Sequence, residues 1–178
     1  GANLNIDKSY TISFQESWSG VVKQIVLERY KVINNMKMVE TQQMFIRIPA
    51  GVKTGEIITL KGKGNQFMNR IAGDVKIHIK VTNSTEFIRD ELDLILKKKI
   101  TFKESLVGFK FEIKHISGKK YSINNFDGKV IRDGYMKIVP NLGFYREINN
   151  VKTQGNLLIV FEVDYPNNLS KELRDKLE

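Results

Sequence analysis

The most informative segment of the chain is Thr101-Phe102-Lys103-Glu104-Ser105-Leu106-Val107-Gly108. It has a counterpart 88 positions earlier, Ser13-Phe14-Gln15-Glu16-Ser17-Trp18-Ser19-Gly20. A hydroxyl residue, Phe, Glu, Ser, a large apolar residue and Gly recur at the same spacing. A looser echo links Gly73–Ile79 with Gly155–Phe161. A repeat of roughly 85 residues is too long for a solenoid unit, so the sequence predicts two similar domains in tandem.

Each copy of the repeat also contains a local signal for a helical turn. Ser13 stands three residues before Glu16, and Thr101 stands three residues before Glu104. This spacing allows a capping box, which predicts one short helical turn in each copy. We expect Trp18 and Leu106, the large apolar residues of the two copies, to fill the core beneath the turns.

The rest of the chain is dominated by short apolar runs that alternate or are β-branched, separated by Gly, Asn or Pro. These runs predict strands at 10–14, 21–27, 44–48, 57–60, 74–81, 92–96, 109–113, 119–123, 129–131, 135–139 and 157–163. The pattern favours a mainly all-β fold of two tandem, similar β-sandwich or barrel-like domains, with short helical turns. A short C-terminal helix is predicted over 169–177, capped by Asn168 or Ser170.

Composition excludes several classes of protein. The 178 residues carry a formal charge of +9, contain no cysteine and are 41% hydrophobic, which excludes a disulfide scaffold and a disordered chain. The two histidines, His78 and His115, are too few for the common zinc sites and are interpreted as ordinary strand residues. No catalytic constellation, metal site or cofactor motif is indicated, so no enzyme is expected. No membrane span or signal peptide is indicated, and the absence of cysteine fits the cytoplasm.

Six stretches resemble the C-terminal peptide-binding region of the DnaJ family of co-chaperones, from about Ser9 to the end of the chain. They are Ile12–Gly20, Ile48–Val52 with Gly55, Leu60–Gly64, Arg89–Leu94, Thr101–Phe109 and Gly155–Pro166. The resemblance implies a first β domain with a peptide-binding groove at 1–83, a second β domain at 84–166, and a dimerisation segment at 167–178. It also implies a fragment that lacks the J domain.

This sequence departs from the family pattern at three places. The segment Asn34–Glu40 is short and contains no cysteine, which favours the zinc-free, type II class. Glu91 and Leu92 stand where a glycine is usual, and Phe144-Tyr145 stands where the family has Met-Pro. These departures predict a different turn and a different loop.

The resemblance implies that an extended, unfolded client adds as a strand and places apolar side chains in a groove. The implied peptide-binding residues are Tyr10, Ile12, Lys23, Ile25, Leu27 and Ile77. The alternative is that the apolar ones are ordinary core residues. The family also hands its clients to the 70-kDa heat-shock chaperone and binds that partner's acidic Glu-Glu-Val-Asp tail, here through Lys8 and Lys23. Val26 occupies a position that is basic in the family.

The chain end carries an apolar stripe, Leu169, Leu173 and Leu177, at helical spacing. In the family this segment joins two protomers, so a homodimer is expected; packing against its own domain is the alternative.

The lysines at 61, 63, 97–99, 119 and 120 leave open an ordinary solvated surface, an acidic peptide partner or a nucleic-acid surface. The main alternative function is therefore a basic β-barrel that binds nucleic acid. A β-sandwich enzyme is disfavoured by the lack of catalytic residues.

Overall fold

The structure is a computed structural model that describes residues 3–178, and it confirms a mainly β fold. Three short helices are present among these residues: α1 (Phe14–Ser19), α2 (Phe102–Val107) and α3 (Lys171–Leu177). The strands are β1 (Ile6–Ser13), β2 (Val21–Ile33), β3 (Met36–Ile48), β4 (Ile57–Leu60), β5 (Gln66–Phe67), β6 (Val75–Thr82), β7 (Ile88–Asp90), β8 (Asp93–Thr101), β9 (Lys110–Lys114), β10 (Lys120–Asn124), β11 (Met136–Val139), β12 (Tyr145–Ile148), β13 (Val151–Gln154) and β14 (Leu157–Asp164).

The chain forms two compact units that do not follow the sequence strictly. The first contains the described residues up to Thr85 together with Phe144–Thr153, and the second contains Glu86–Gly143 together with Gln154–Glu178. The segment Phe144–Thr153 therefore lies in the second half of the sequence but belongs to the first unit. The functional division of the chain at 83 and 166 stays a prediction.

Two sheets of the first unit enclose its core. One sheet has the order β1-β6-β4, in which β1 and β6 are parallel, and the other has the order β3-β2-β5. Strands β2 and β3 form one long antiparallel hairpin closed by Asn34 and Asn35, both in the left-handed region. Buried apolar side chains fill the core: Ile12, Ile25, Leu27, Ile46, Ile48, Val52, Val75, Ile77 and Ile79.

The second unit repeats the central pairing of the first. Its larger sheet has the order β11-β14-β8-β7, with β8 and β14 parallel, and β9 and β10 form a separate two-stranded sheet. Ile12 pairs with Val81 in the first unit, and Ile100 pairs with Val163 in the second. The repeated sequence motif thus marks a repeated structure.

A glycine allows the chain to cross closely over the start of each unit. A Cβ atom on Gly73 would lie 2.2 Å from the carbonyl oxygen of Leu4, and one on Gly155 would lie 2.0 Å from that of Leu92. Both distances are far below van der Waals contact, so any side chain would push the backbones apart. This close approach explains why the second pair of repeated stretches begins with glycine.

Both capping boxes predicted from the sequence are confirmed. The backbone N–H of Glu16 donates to the Ser13 hydroxyl at 3.1 Å, and that of Glu104 donates to the Thr101 hydroxyl at 3.0 Å. The prediction that Leu106 fills the core is wrong, because its side chain is 43% exposed.

The buried positions on these turns are instead Phe14 with Ser17 in α1, and Ser105 in α2, whereas Trp18 is half-buried. Residues three apart share one face of a helix, so Phe14 and Ser17 point into the core together. Trp18, the next residue, therefore lies to the side of this face and is only half-buried. The Ser17 hydroxyl donates to the carbonyl of Val52 at 2.6 Å, which satisfies it inside the core.

Several strands, a turn and a helix cap differ from those predicted from the sequence. The strand predicted at 129–131 is absent because Ile131 donates its N–H to Ser105 of α2 at 2.9 Å instead of joining a ladder. The short strands β5, β7, β12 and β13 were not predicted, since each has too few residues to show a period. Glu91 adopts φ 53° in the β7–β8 turn, which accommodates the missing glycine. Ser170 rather than Asn168 caps α3, which begins at Lys171.

The segment Phe144–Thr153 completes the first unit. Phe144 is fully buried, and its ring meets that of Phe14 edge-on at a centroid distance of 5.3 Å. Arg146 forms an ion pair with Glu56 at 2.8 Å. The Phe-for-Met departure at this position therefore supplies an aromatic partner for the residue that anchors α1.

We expect Phe144→Ala to destabilise the first unit by about 3–5 kcal/mol, the cost of removing a buried Phe side chain. Trp18, the only tryptophan, lies in α1 and reports on that unit by its fluorescence. Urea titration should show a lower midpoint for the Trp18 transition.

Phe126→Ala is the matched control, because Phe126 is 62% exposed and its loss should change the stability by no more than about 0.5 kcal/mol. An unchanged Trp18 transition in Phe144→Ala would contradict the assignment of this segment to the first unit.

Candidate functional site

A cleft of about 240 Å³ opens between β1 and β2 in the first unit. Its lining residues come from β1, β2 and β6: Lys8, Ser9, Tyr10, Gln24, Ile25, Val26 and Ile77. Ile25 and Ile77 are core residues that reach the floor of the cleft, whereas Tyr10 is half-buried and Val26 is 52% exposed. The cleft is thus an opening onto the edge of the hydrophobic core.

The structure brings together part of the predicted peptide-binding set. Tyr10, Ile25, Ile77 and Lys8 line this cleft. Ile12 and Leu27 belong to the same core but are 1% and 2% exposed, and neither is among the lining residues. Lys23 also lies outside the lining. The peptide-binding role of these residues stays a prediction.

The edge of β2 that borders the cleft is largely free of strand partners. β3 pairs with β2 along its other edge, and on the cleft side β5 pairs only with Lys31 and Val32. The carbonyl of Val26 accepts a bond from the Lys8 ammonium, which shows that the backbone of Val26 points away from β3. Backbone groups alternate along a strand, so those of Val22, Gln24 and Glu28 also point to this free edge.

Lys23 already has a carboxylate partner. Its ammonium lies 2.5 Å from a Glu16 oxygen, and the other oxygen of Glu16 accepts the Ser13 N–H of the capping box at 3.0 Å. The hydrogen bond with Lys23 lowers the pKa of the Glu16 carboxyl, and the same bond raises the pKa of the Lys23 ammonium. Both groups therefore stay charged at neutral pH, and an acidic ligand would compete with Glu16 for Lys23.

The two histidines have ordinary partners. His78 lies 2.9 Å from the Asp7 carboxylate, and the His115 ring bonds the Ser117 hydroxyl and the carbonyl of Leu142. No group of three or more His, Cys, Asp or Glu residues in the described part of the chain is placed to hold a metal ion. Within residues 3–178, no helix has both the length and the apolar character that crossing a bilayer requires.

A second and larger groove, of about 660 Å³, lies in the second unit between α2 and the C-terminal segment. The predicted dimerisation residues Leu169, Leu173 and Leu177 all line it. Leu173 and Leu177 are 42% and 65% exposed, and α3 has no buried residue. The apolar stripe of α3 is therefore only partly covered by its own unit.

Two further residues of this groove were missed in the sequence. Leu106 and Val107 of α2 line it, and they are 43% and 63% exposed. A comparison of the two repeat copies contains the signal for these residues. The first copy has Trp18-Ser19 where the second copy has two adjacent aliphatic residues on a helical turn of only six residues. Such a short helix cannot bury both.

Comparison with known proteins gives one family. A family model for the DnaJ C terminal domain matches residues 6–166. The chain is 31% identical over 147 residues to a protein of Dictyostelium discoideum named DnaJ homolog subfamily A member 1 homolog. These residues cover 83% of this chain and 30% of that protein.

Two further relatives show similar identity. The human DnaJ homolog subfamily A member 2 is 32% identical over 138 residues, which cover 78% of this chain and 32% of that protein. The Mitochondrial protein import protein MAS5 of Saccharomyces cerevisiae is 31% identical over 150 residues, which cover 83% of this chain and 35% of that protein. The chain thus spans about a third of the length of the curated relatives it matches.

Proposed function

The chain belongs to the DnaJ C-terminal domain family, and on this basis we propose that it is the client-binding part of a co-chaperone and not an enzyme. The observation that carries the proposal is the cleft between β1 and β2, where an apolar floor lies beside a free strand edge. These two features are what an extended, partly apolar polypeptide needs for binding.

Strand addition at β2 supplies affinity that does not depend on sequence. The client backbone would bond to the outward-facing groups of Val22, Gln24, Val26 and Glu28, each bond contributing about 0.5–1.5 kcal/mol net. Alternate side chains of the client would enter the cleft against Ile25 and Ile77, and each apolar anchor would contribute about 1.5–3 kcal/mol. Unfolded clients share a backbone and exposed apolar residues, so this combination suits many of them.

The strand-addition proposal predicts a period of two in the client backbone. We expect N-methylation of alternate amides in a labelled apolar peptide to abolish binding in one register and to leave it nearly intact in the other. The reason is that only every second amide of an added strand faces β2. Fluorescence anisotropy with the two methylated peptides and the unmodified parent measures this directly.

Equal losses for both methylated registers would contradict strand addition. Val22→Ala serves as a protein control, since it removes an exposed side chain that does not line the cleft and keeps the backbone groups.

We propose in addition that Lys23 and Lys8 bind the acidic Glu-Glu-Val-Asp tail of the 70-kDa heat-shock chaperone that receives the client. Lys23 would exchange its Glu16 partner for a carboxylate of the tail, and Lys8 would contact the tail at the rim of the cleft. Because the position of Val26 carries no charge, the tail would rest on two lysines. Binding through exposed ion pairs should weaken as salt rises.

A labelled peptide that ends in Glu-Glu-Val-Asp should bind with micromolar affinity and more weakly at high salt. Lys23→Glu should weaken this binding by about tenfold, because an attraction becomes a repulsion of similar size. Glu16→Gln should strengthen it by about two- to fivefold, since Lys23 then has no competing carboxylate. Fluorescence anisotropy at two salt concentrations provides the measurement.

No saturable binding by the folded protein would remove this partner from the proposal. Salt-sensitive binding to a nucleic-acid oligomer, with no response to apolar peptides, would favour the alternative of a basic nucleic-acid-binding module.

We also propose that the chain forms a homodimer through the stripe Leu169, Leu173 and Leu177. A helix of seven residues is marginal alone, and its own unit covers the stripe only in part. Burial against a second copy would remove the exposed apolar surface from water.

The compartment that fits the proposed co-chaperone function is the cytoplasm, whose reducing conditions suit a chain without cysteine.

Leu173→Asp should convert a dimer to a monomer in sedimentation at micromolar concentration, because it places a charge in the proposed interface. The fold should survive, since Leu173 is 42% exposed. Lys171→Asp is the matched control, because it introduces the same charge outside the groove. A monomeric mass for the unmodified chain at these concentrations would refute the dimer.

A further inference from the structure

Lys8 spans the mouth of the cleft. It extends from β1, and its ammonium donates to the carbonyl of Val26 on the free edge of β2 at 3.3 Å. That carbonyl is one of the acceptors that an added strand needs. A peptide backbone that bonds to β2 at Val26 must therefore share this carbonyl with the ammonium or displace the ammonium from it.

The second unit shows that the fold does not require this contact. The position equivalent to Lys8, 88 residues later, is Leu96, a buried side chain with no charge. The strands of the second unit nevertheless pair in the same parallel arrangement. The corresponding cleft there is only about 50 Å³, and Lys98 lies over the ring of Phe111 at 4.6 Å. The shared strand arrangement therefore does not depend on a lysine at this position.

The charge of the cleft is positive and comes from one residue. Among the seven lining residues, Lys8 is the only charged one. The neighbouring carboxylates are engaged elsewhere, Asp7 with His78 and Glu16 with Lys23. An ammonium displaced from Val26 therefore has no acidic partner inside the cleft, and a carboxylate on the incoming peptide would provide one with a charge-assisted hydrogen bond.

We propose that Lys8 guards the free edge of β2 and selects extended peptides that carry a carboxylate next to their apolar anchor. Lysine at a strand edge is a common protection against unwanted pairing. A neutral peptide must displace the ammonium without replacing its partner, whereas an acidic peptide replaces the lost acceptor. This inference rests on the proposed function, because it specifies which clients the same cleft prefers.

Two labelled peptides test the guard. They share apolar anchors at alternate positions and differ only in having Glu or Gln between them. The unmodified protein should bind the Glu peptide about three- to fivefold more tightly. Lys8→Met keeps the apolar stem without a donor, so it should reduce the preference below twofold and bind the Gln peptide more tightly than the unmodified protein does. Lys8→Arg should keep the preference.

Lys23→Met distinguishes the role of Lys8 from that of Lys23. This variant should keep the preference for the Glu peptide. A Lys8→Met variant that weakens both peptides equally, or that keeps the original preference, would overturn the guard while leaving strand addition intact. If the folded protein binds neither peptide, the proposed function fails and this inference fails with it.

Discussion

The fold depends on one parallel strand pair in each unit, β1 with β6 and β8 with β14, and each pair depends on a close backbone crossing. At Gly73 and Gly155 the chain approaches the preceding segment too closely for a Cβ atom. A side-chain oxygen fixes the same crossing: Asn5 accepts the N–H of Asp74 at 2.8 Å, and Asp93 accepts that of Asn156 at 2.7 Å. The second half of each repeat is thereby held against the first.

This closure determines where the candidate site lies. β1 pairs with β6, and β2 pairs with β3, but β1 and β2 belong to different sheets and do not pair with each other. An opening remains between them, with the ends of the core at its floor. A free strand edge beside an apolar opening can pair with other chains and aggregate as well as bind a peptide. The role that we propose for the Lys8 contact across the opening is to limit such pairing.

The two units share a fold but differ in what they expose. The ring of Phe14 on α1 packs against Phe144, which comes from a segment far away in the sequence. Both rings are buried, so this side of α1 is not exposed. On α2 the equivalent turn presents Leu106 and Val107 to a groove that also contains the leucines of the chain end. The repeated motif thus lies beside a cleft between β1 and β2 in the first unit and beside an apolar groove next to α3 in the second.

The repeat, both capping boxes, most of the longer strands and the stripe on α3 can be predicted from the sequence alone, because each is a local pattern with a fixed spacing. Through the family resemblance the sequence also predicted a set of residues that includes Tyr10, Ile25 and Ile77, which line the cleft. It could not separate them from Ile12 and Leu27, which have the same alternation. Three outcomes required the folded chain: which core side chains reach an opening, that Phe144 belongs to the first unit, and that Lys8 and Lys23 have partners. These outcomes depend on contacts between residues far apart in the chain, and no local period records such contacts.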